Sequence, residues 1–359
     1  MALTISATNS ELPLPVNNML MSTFLRNAAS RAPYFLGTMP GEITRNGGTA
    51  TVKWRRIDNL SAATTALGEL QGNASYMQGR SSAALAVTDV TATVAKYGNF
   101  VIMNETVDKF EPQGQFDAIM KVIGINAGQS LNQVQRNTAE DSQTIVRVAG
   151  ASDGAVNSKI TIASIKSVIN TLTKNSARTF FPMTNGSQNV GTGPQLPAFI
   201  GICHPDVAID VAGLTGFTSV ETYAGQVATY LGEFGSIGVA GLAVRFCLTE
   251  DASVDANAGA AVGSTGCRST GGSTIDLYSV PIYGMDAIGT VGFGQRYPDG
   301  SFMAGDDLGP VDIIVKGLGS GGTSDPYDEI TTVAWKAWHA SAVLNAAFGR
   351  TIRCGASTL

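Results

Sequence analysis

The stretch Gly317-Leu318-Gly319-Ser320-Gly321-Gly322 has the GxGxxG spacing of a phosphate-cradling loop and follows a strand-like run at 312–316. A dinucleotide site also needs a helix opening at the third glycine, so that its free N–H groups face the pyrophosphate. Here Thr323-Ser324-Asp325-Pro326 follows, which is turn chemistry. A flexible linker is the better reading.

The remaining candidates for chemistry are few. There are two histidines. His204 precedes Pro205 and neighbours Cys203, but no CxxC or HxxxH spacing supplies the four convergent ligands of a structural zinc site. It reads as the cap of a turn. His339, between Trp338 and Ala340, reads as a packed or hydrogen-bonded core histidine. Cys203, Cys247, Cys267 and Cys354 lack metal-ligand spacing, and reduced thiols after intracellular synthesis are expected. No GxSxG elbow occurs, and no Ser or Cys has a recognisable general base. Asp206 with Asp210, and Glu250 with Asp251, read as helix-end and loop carboxylates. No catalytic residue, cofactor or metal is expected.

The densest positive spot is Lys53, Arg55 and Arg56. Strand alternation puts Lys53 and Arg55 on one face and Arg56 on the other, so a solvated strand or an inter-subunit ion pair outranks nucleic-acid contact. Net charge is −5, with no polybasic run of the kind a dedicated nucleic-acid binder carries. No run of about 18 apolar residues is present to span a membrane, and the first residues lack the pattern of a signal peptide. Only 14% of residues are charged, against about 25% in ordinary domains. Either the surface is neutral and rich in Ser, Thr and Asn, or much of it is covered by partners, since interface cores are poor in Lys and Glu.

The elements that position these residues have one organising feature. Apolar side chains at Phe116, Ile119, Met120, Ile123, Ala127, Leu131, Val134 and, more weakly, Ile145 keep a helical rhythm behind Pro112. The spacing predicts a spine helix over 112–148, with Lys121, Asn126, Gln129, Asn132, Gln133, Arg136, Asn137 and Glu140 on its polar face. Gly124 and Gly128 each cost it about 1 kcal/mol. A second helix is expected over 160–172, capped by Ser158. Residues 1–40 look like an arm with a short amphipathic piece at 16–27. Strands are expected over 49–57 and 84–96 on either side of a polar segment of about 25 residues, longer than loops inside compact domains usually run. An extended hairpin fits. Past a glycine-rich boundary at 184–197 come strands at 198–203, 242–248, 275–280, 287–293 and 312–316, a short helix from Pro205, and a low-complexity surface loop at 252–274.

Taken in order, Tyr97-Gly98-Asn99-Phe100-Val101-Ile102-Met103-Asn104-Glu105, His204-Pro205-Asp206, Gly235-Ser236-Ile237-Gly238, Tyr283-Gly284-Met285-Asp286-Ala287-Ile288-Gly289 and Trp335-Lys336-Ala337-Trp338-His339-Ala340 with Val343-Leu344-Asn345 resemble one family. It is the major capsid protein of tailed bacteriophages, with the Hong Kong phage-type shell fold, nearest to the N-four-like podovirus capsids. The likeness runs along nearly the whole chain.

The resemblance implies an α+β fold. It has an N-terminal arm (1–43), an extended β-hairpin loop with its return strand (44–100), a peripheral domain with the spine helix (101–176), an axial domain (177–324) and returning C-terminal strands (325–359). It implies a protein that self-assembles as pentamers and hexamers into an icosahedral shell around double-stranded DNA. Portal and scaffolding or decoration proteins would be partners, DNA contact would be non-specific, and no membrane would be involved. The protein would reside in the virion after assembly in the bacterial cytoplasm. Lys53, Arg55, Arg56, Glu69 and Arg80 are then the candidate inter-subunit contacts. Some such shells are cross-linked by a lysine on the extended loop, but no lysine lies between Lys53 and Lys96. A surface-layer or fibre subunit is the alternative self-assembling protein.

Overall fold

The computed structural model describes residues 33–41, 50–58, 60, 62, 64, 84–105, 115–141, 143–183, 195–223, 232–263, 266–292, 311–321 and 325–358. Residues 1–32 of the expected arm with its amphipathic piece, the turn at 44–48, most of the hairpin tip and residues 184–194 of the boundary lie outside these residues.

Two sheets and one long helix organise what is described. The helix, α1 (Gln115–Asp141), is 27 residues long, about 40 Å at 1.5 Å per residue. It runs unbroken through Gly124 and Gly128, both buried. It ends earlier than predicted, and Thr144–Arg147 forms strand β5 instead. The run Thr144-Ile145-Val146 is β-branched, a poor helix filler and a good strand former. It pairs in parallel with β15 (Gly349–Cys354), which satisfies the backbone the helix would otherwise hold.

The apolar stripe of α1 lies on the first sheet. Its strands, among the described residues, are β1 (Met39–Gly41), β4 (Ala95–Asn104), β12 (Ile288–Gly292), β13 (Asp312–Lys316) and β14 (Ile330–Val343), in the order β1-β12-β14-β13 with β4 on β14. Strand β14 is the common partner, because 14 residues give it room for three neighbours. Met120, Ile123 and Ala127 of α1 pack on Val333, Trp335 and Ala337 of β14. The Trp335 indole N–H donates to Asn126 Oδ1 at 3.1 Å, anchoring the seam.

The second sheet runs β5-β15-β11-β6-β9-β8-β7, with β10 (Val254–Asp255) on β11. Here β6 is Ala198–Cys203, β7 Phe217–Ser219, β8 Glu233–Val239, β9 Leu242–Leu248 and β11 Leu277–Tyr283. Both β6 and β11 are buried at every position, as continuous apolar runs require. Strand β8 has no sequence signal, because Gly235 and Gly238 read as loop. Gly235 is needed: a Cβ there would meet Phe217 at 2.2 Å and the Thr218 carbonyl at 2.7 Å.

Helix α2 (Ile162–Lys174) covers this sheet with Ile165, Val168, Ile169 and Leu172. Its cap is Thr161 rather than Ser158. Thr161 Oγ1 accepts from the Ser164 N–H at 3.3 Å, and Ser164 Oγ accepts from the Thr161 N–H at 3.4 Å, a reciprocal capping box. The short helix α3 (Pro205–Ala212) starts at the expected proline. The described part of 252–274 is largely exposed, as expected of a surface loop, yet it is pinned at several points. Cys267 is buried with Val156, Ile275 and Leu277. The Asp276 carboxylate accepts from the N–H of Asn257 and from the N–H and hydroxyl of Thr270.

Candidate assembly interface

Strands β2 (Thr51–Ile57) and β3 (Val87–Thr93) pair antiparallel as a separate two-stranded ribbon. Its inner face alternates as the sequence dictates. Val52, Trp54, Ala92 and Val94 are buried against Val291, Ala340 and Leu344 of the first sheet. This packing holds only the ribbon base. Toward the tip the apolar side chains turn outward, with Ile57 57%, Leu60 55%, Leu85 54% and Val87 48% exposed.

The first sheet has the complementary feature. Odd-numbered residues of β14 face α1, so even-numbered ones face away. The ribbon base covers that outer face at Ala340 and Leu344. Farther along, Phe100 and Ile102 of β4, opposite Ala334 and Thr332, are 61% and 56% exposed. Ile330 and Trp338 belong to the same face, and the Lys96 ammonium lies 5.9 Å from the Trp338 ring centre. Strand β4 is also an edge, paired on one side only among the described residues.

The basic triplet splits between the two faces as alternation requires. Lys53 and Arg55 point outward and both reach Asp89 on β3, at 2.5 and 3.0 Å. The Arg55 hydrogen bond, then that from Lys53, holds the Asp89 carboxyl below the usual carboxylate range. Arg56 turns toward the body, donating to Asp58 and to the Leu344 carbonyl. Each of the three therefore has an intrachain partner. Glu69 and Arg80 lie outside the described residues.

No catalytic constellation accompanies these surfaces among the described residues. His204 caps α3, its Nδ1 accepting from the Asp206 N–H at 3.2 Å, and burial lowers its pKa. His339 is buried beside the Phe35 and Tyr97 rings, and desolvation lowers its pKa to about 4. Asp206 is occupied by Tyr278 and Arg268, and Asp210 accepts from the Ser357 N–H. All four cysteines are buried, and burial pushes the Cys247 thiol up to about 12. No group of His, Cys, Asp and Glu with metal-binding geometry is found among the described residues. No described helix is long and apolar enough to cross a membrane. The glycine run at 317–321 forms a turn closed by the Ser320 N–H on the Gly317 carbonyl, and the next described element is strand β14.

No family model matches the chain, and no curated protein does. Solved structures do. The capsid of Ralstonia phage GP4 aligns with a TM-score of 0.58 at 9% identity, over 91% of this chain and 92% of that one. The head structure of Helicobacter pylori bacteriophage KHP40 aligns at 0.53 and 9%, over 99% and 95%. Gordonia phage Cozz gives 0.51 and 11%, over 91% and 87%. The chain has the tailed-phage capsid fold. What sequence reading passed over is the apolar outer face of β4. Its signal was present: Phe100, Val101 and Ile102 are consecutive apolar residues of one strand, so alternation must turn some of them away from the core.

Proposed function

We propose that the protein is the major capsid protein of a tailed bacteriophage, a structural subunit rather than an enzyme. One observation supports this above the others. Among the described residues the chain leaves two apolar patches exposed, the outer end of the ribbon at Ile57, Leu60, Leu85 and Val87 and the outer face of β4 and β14. Isolated patches of this kind mark interaction sites. Their natural occupant is a second copy of the chain, with the ribbon tip of one subunit lying on the sheet face of the next. Repeated around five- and six-fold axes, that contact closes a shell around double-stranded DNA.

On this reading residues 1–43 form an arm and 44–100 the extended loop. Residues 101–176 with 325–359 make up the peripheral domain, and 177–324 the axial domain. Lys53, Arg55 and Arg56 would exchange their intrachain partners, or share them, across subunits, together with Glu69 and Arg80. A portal, and scaffolding or decoration proteins, are the further partners. DNA is held without sequence preference and weakly, because a chain of net charge −5 neutralises few phosphates. The virion is its location, reached after assembly in the host cytoplasm. The narrower likeness to N-four-like podovirus capsids rests on the sequence resemblance alone.

Expression of the full chain followed by electron microscopy tests the proposal. Hollow closed particles are expected. Flat sheets or filaments would favour a surface-layer or fibre protein, and monomers under all salts tried would refute self-assembly.

A further inference from the structure

Three parts of the fold meet at one buried polar contact that the shell reading does not use. Tyr34, fully buried, belongs to the segment that enters the fold before β1. Its backbone N–H donates to Asn132 Oδ1 at 3.0 Å and its hydroxyl to Glu140 Oε1 at 2.9 Å, both on α1. From the side of the second sheet, Asp251 accepts from Asn132 Nδ2 at 2.9 Å and, through its carbonyl, from Arg136 at 2.7 Å. The Ser253 N–H reaches Glu140 Oε1 at 3.4 Å, and Thr351 of β15 bonds the Glu140 carbonyl. Asn132 and Glu140 belong to the polar side of the α1 pattern, where solvent exposure is expected, yet they are 0% and 4% exposed. Their partners from the other two parts explain why.

We propose that the Glu140–Tyr34 contact is a proton-controlled latch joining the N-terminal segment, the spine helix and the second sheet. The carboxyl is buried with two donors and no salt bridge among the described residues. Its cationic neighbour, Arg136, spends its guanidinium on the Asp251 carbonyl and on Asn137. The other titratable groups around it are Tyr34 from the N-terminal segment, Asp251 from the loop after β9, and Tyr283 from β11, whose hydroxyl is held by the Leu36 carbonyl. A carboxylate so placed keeps little of its hydration, and its neutral form fits better. Desolvation raises the Glu140 pKa from 4.5 to about 7, against the lowering effect of the Tyr34 hydrogen bond.

The sign follows from linkage. In the closed latch the proton is held up to about pH 7, while in an opened, hydrated latch it leaves near 4.5. Closure is therefore most favoured below 4.5 and weakens as pH rises through 7, above which both states are ionised and the effect levels off. Acid tightens the hold of the entering segment on the spine, and neutral pH loosens it. The latch is a property of the single subunit and stands whether or not shells form.

Amide hydrogen exchange on the unassembled full-length chain tests it, read at peptides containing Tyr34 and Ser253, with β6 as an internal control. After correction for intrinsic exchange, opening at the two latch peptides rises about 40-fold between pH 5 and 7. In Glu140→Gln the same peptides show no such rise. His339, which touches the neighbouring Phe35, is present in both proteins, so its titration cancels in the difference. Tyr34→Phe removes a donor to the ionised form and moves the midpoint to higher pH. An equal pH response in wild type and Glu140→Gln, or one shared by β6, overturns the latch. Should Glu140→Gln not fold, an unmoved midpoint in Tyr34→Phe overturns it instead.

Discussion

Replacing Phe100 with alanine separates assembly from folding. The side chain is 61% exposed in the single subunit, on the outer face of β4, away from the core under α1. Complete burial of a phenylalanine is worth about 1.5–3 kcal/mol, so the part still exposed contributes about 1–2 kcal/mol when a neighbouring subunit covers it. In a closed shell each subunit offers this face once, so the loss falls once on every subunit. The threshold concentration for assembly then rises about 5- to 30-fold, since 1.4 kcal/mol is a factor of ten. The subunit itself loses strand propensity and the two-fifths of the side chain it already covers, together about 1–2 kcal/mol. Light scattering against protein concentration gives the threshold, and thermal unfolding below it gives subunit stability. An unchanged threshold would refute the covered-face argument. A drop in subunit stability of 3 kcal/mol or more would show that Phe100 belongs to the core after all.

Deleting residues 62–82 leaves the subunit folded and abolishes shells, because the ribbon is held by its base at Trp54 and Val94; an unfolded deletion in circular dichroism would count against a projecting loop. His339, held neutral by burial with a pKa of about 4, contributes stability that is present above its ordinary 6.5 and is lost as pH falls through 4. His339→Phe therefore flattens the acid limb of the unfolding curve, and an unaltered limb would mean another group controls it. Thr161→Ala costs about 1 kcal/mol by removing the cap of α2, whereas Ser158→Ala changes little; denaturant titration of both variants distinguishes them. Nucleotides leave the melting temperature unmoved, where a binder at 100 times its Kd would add about 2.7 kcal/mol.

Local chemistry made some of this legible without coordinates. The apolar rhythm from Ile119 to Leu131 placed the long helix α1, and the apolar runs 198–203 and 242–248 placed β6 and β9. Alternation at 52–56 told which faces Lys53, Arg55 and Arg56 would take. His204 before a proline announced its cap. In each case the signal lies within one turn or a few strand residues. Strand β8 was invisible because its glycines answer to Phe217, a residue of the neighbouring strand. The true end of α1 at Asp141 depends on β15, more than 200 residues later, which takes up residues 144–147 as a strand.

Residue type and short spacing by themselves placed α1, α2 and most of the long strands, since these depend on neighbours close in the chain, while the α+β fold class came from the family resemblance. Tertiary structure alone decided which polar residues are inside and which apolar ones are outside. Asn132 and Glu140 are buried because Tyr34, Asp251 and Ser253 converge on them from distant parts of the chain. Phe100, Ile102, Ile57 and Val87 stay exposed because no described part of the chain packs over them. A hydrophobic pattern says that a side chain gains by leaving water; it does not say against what.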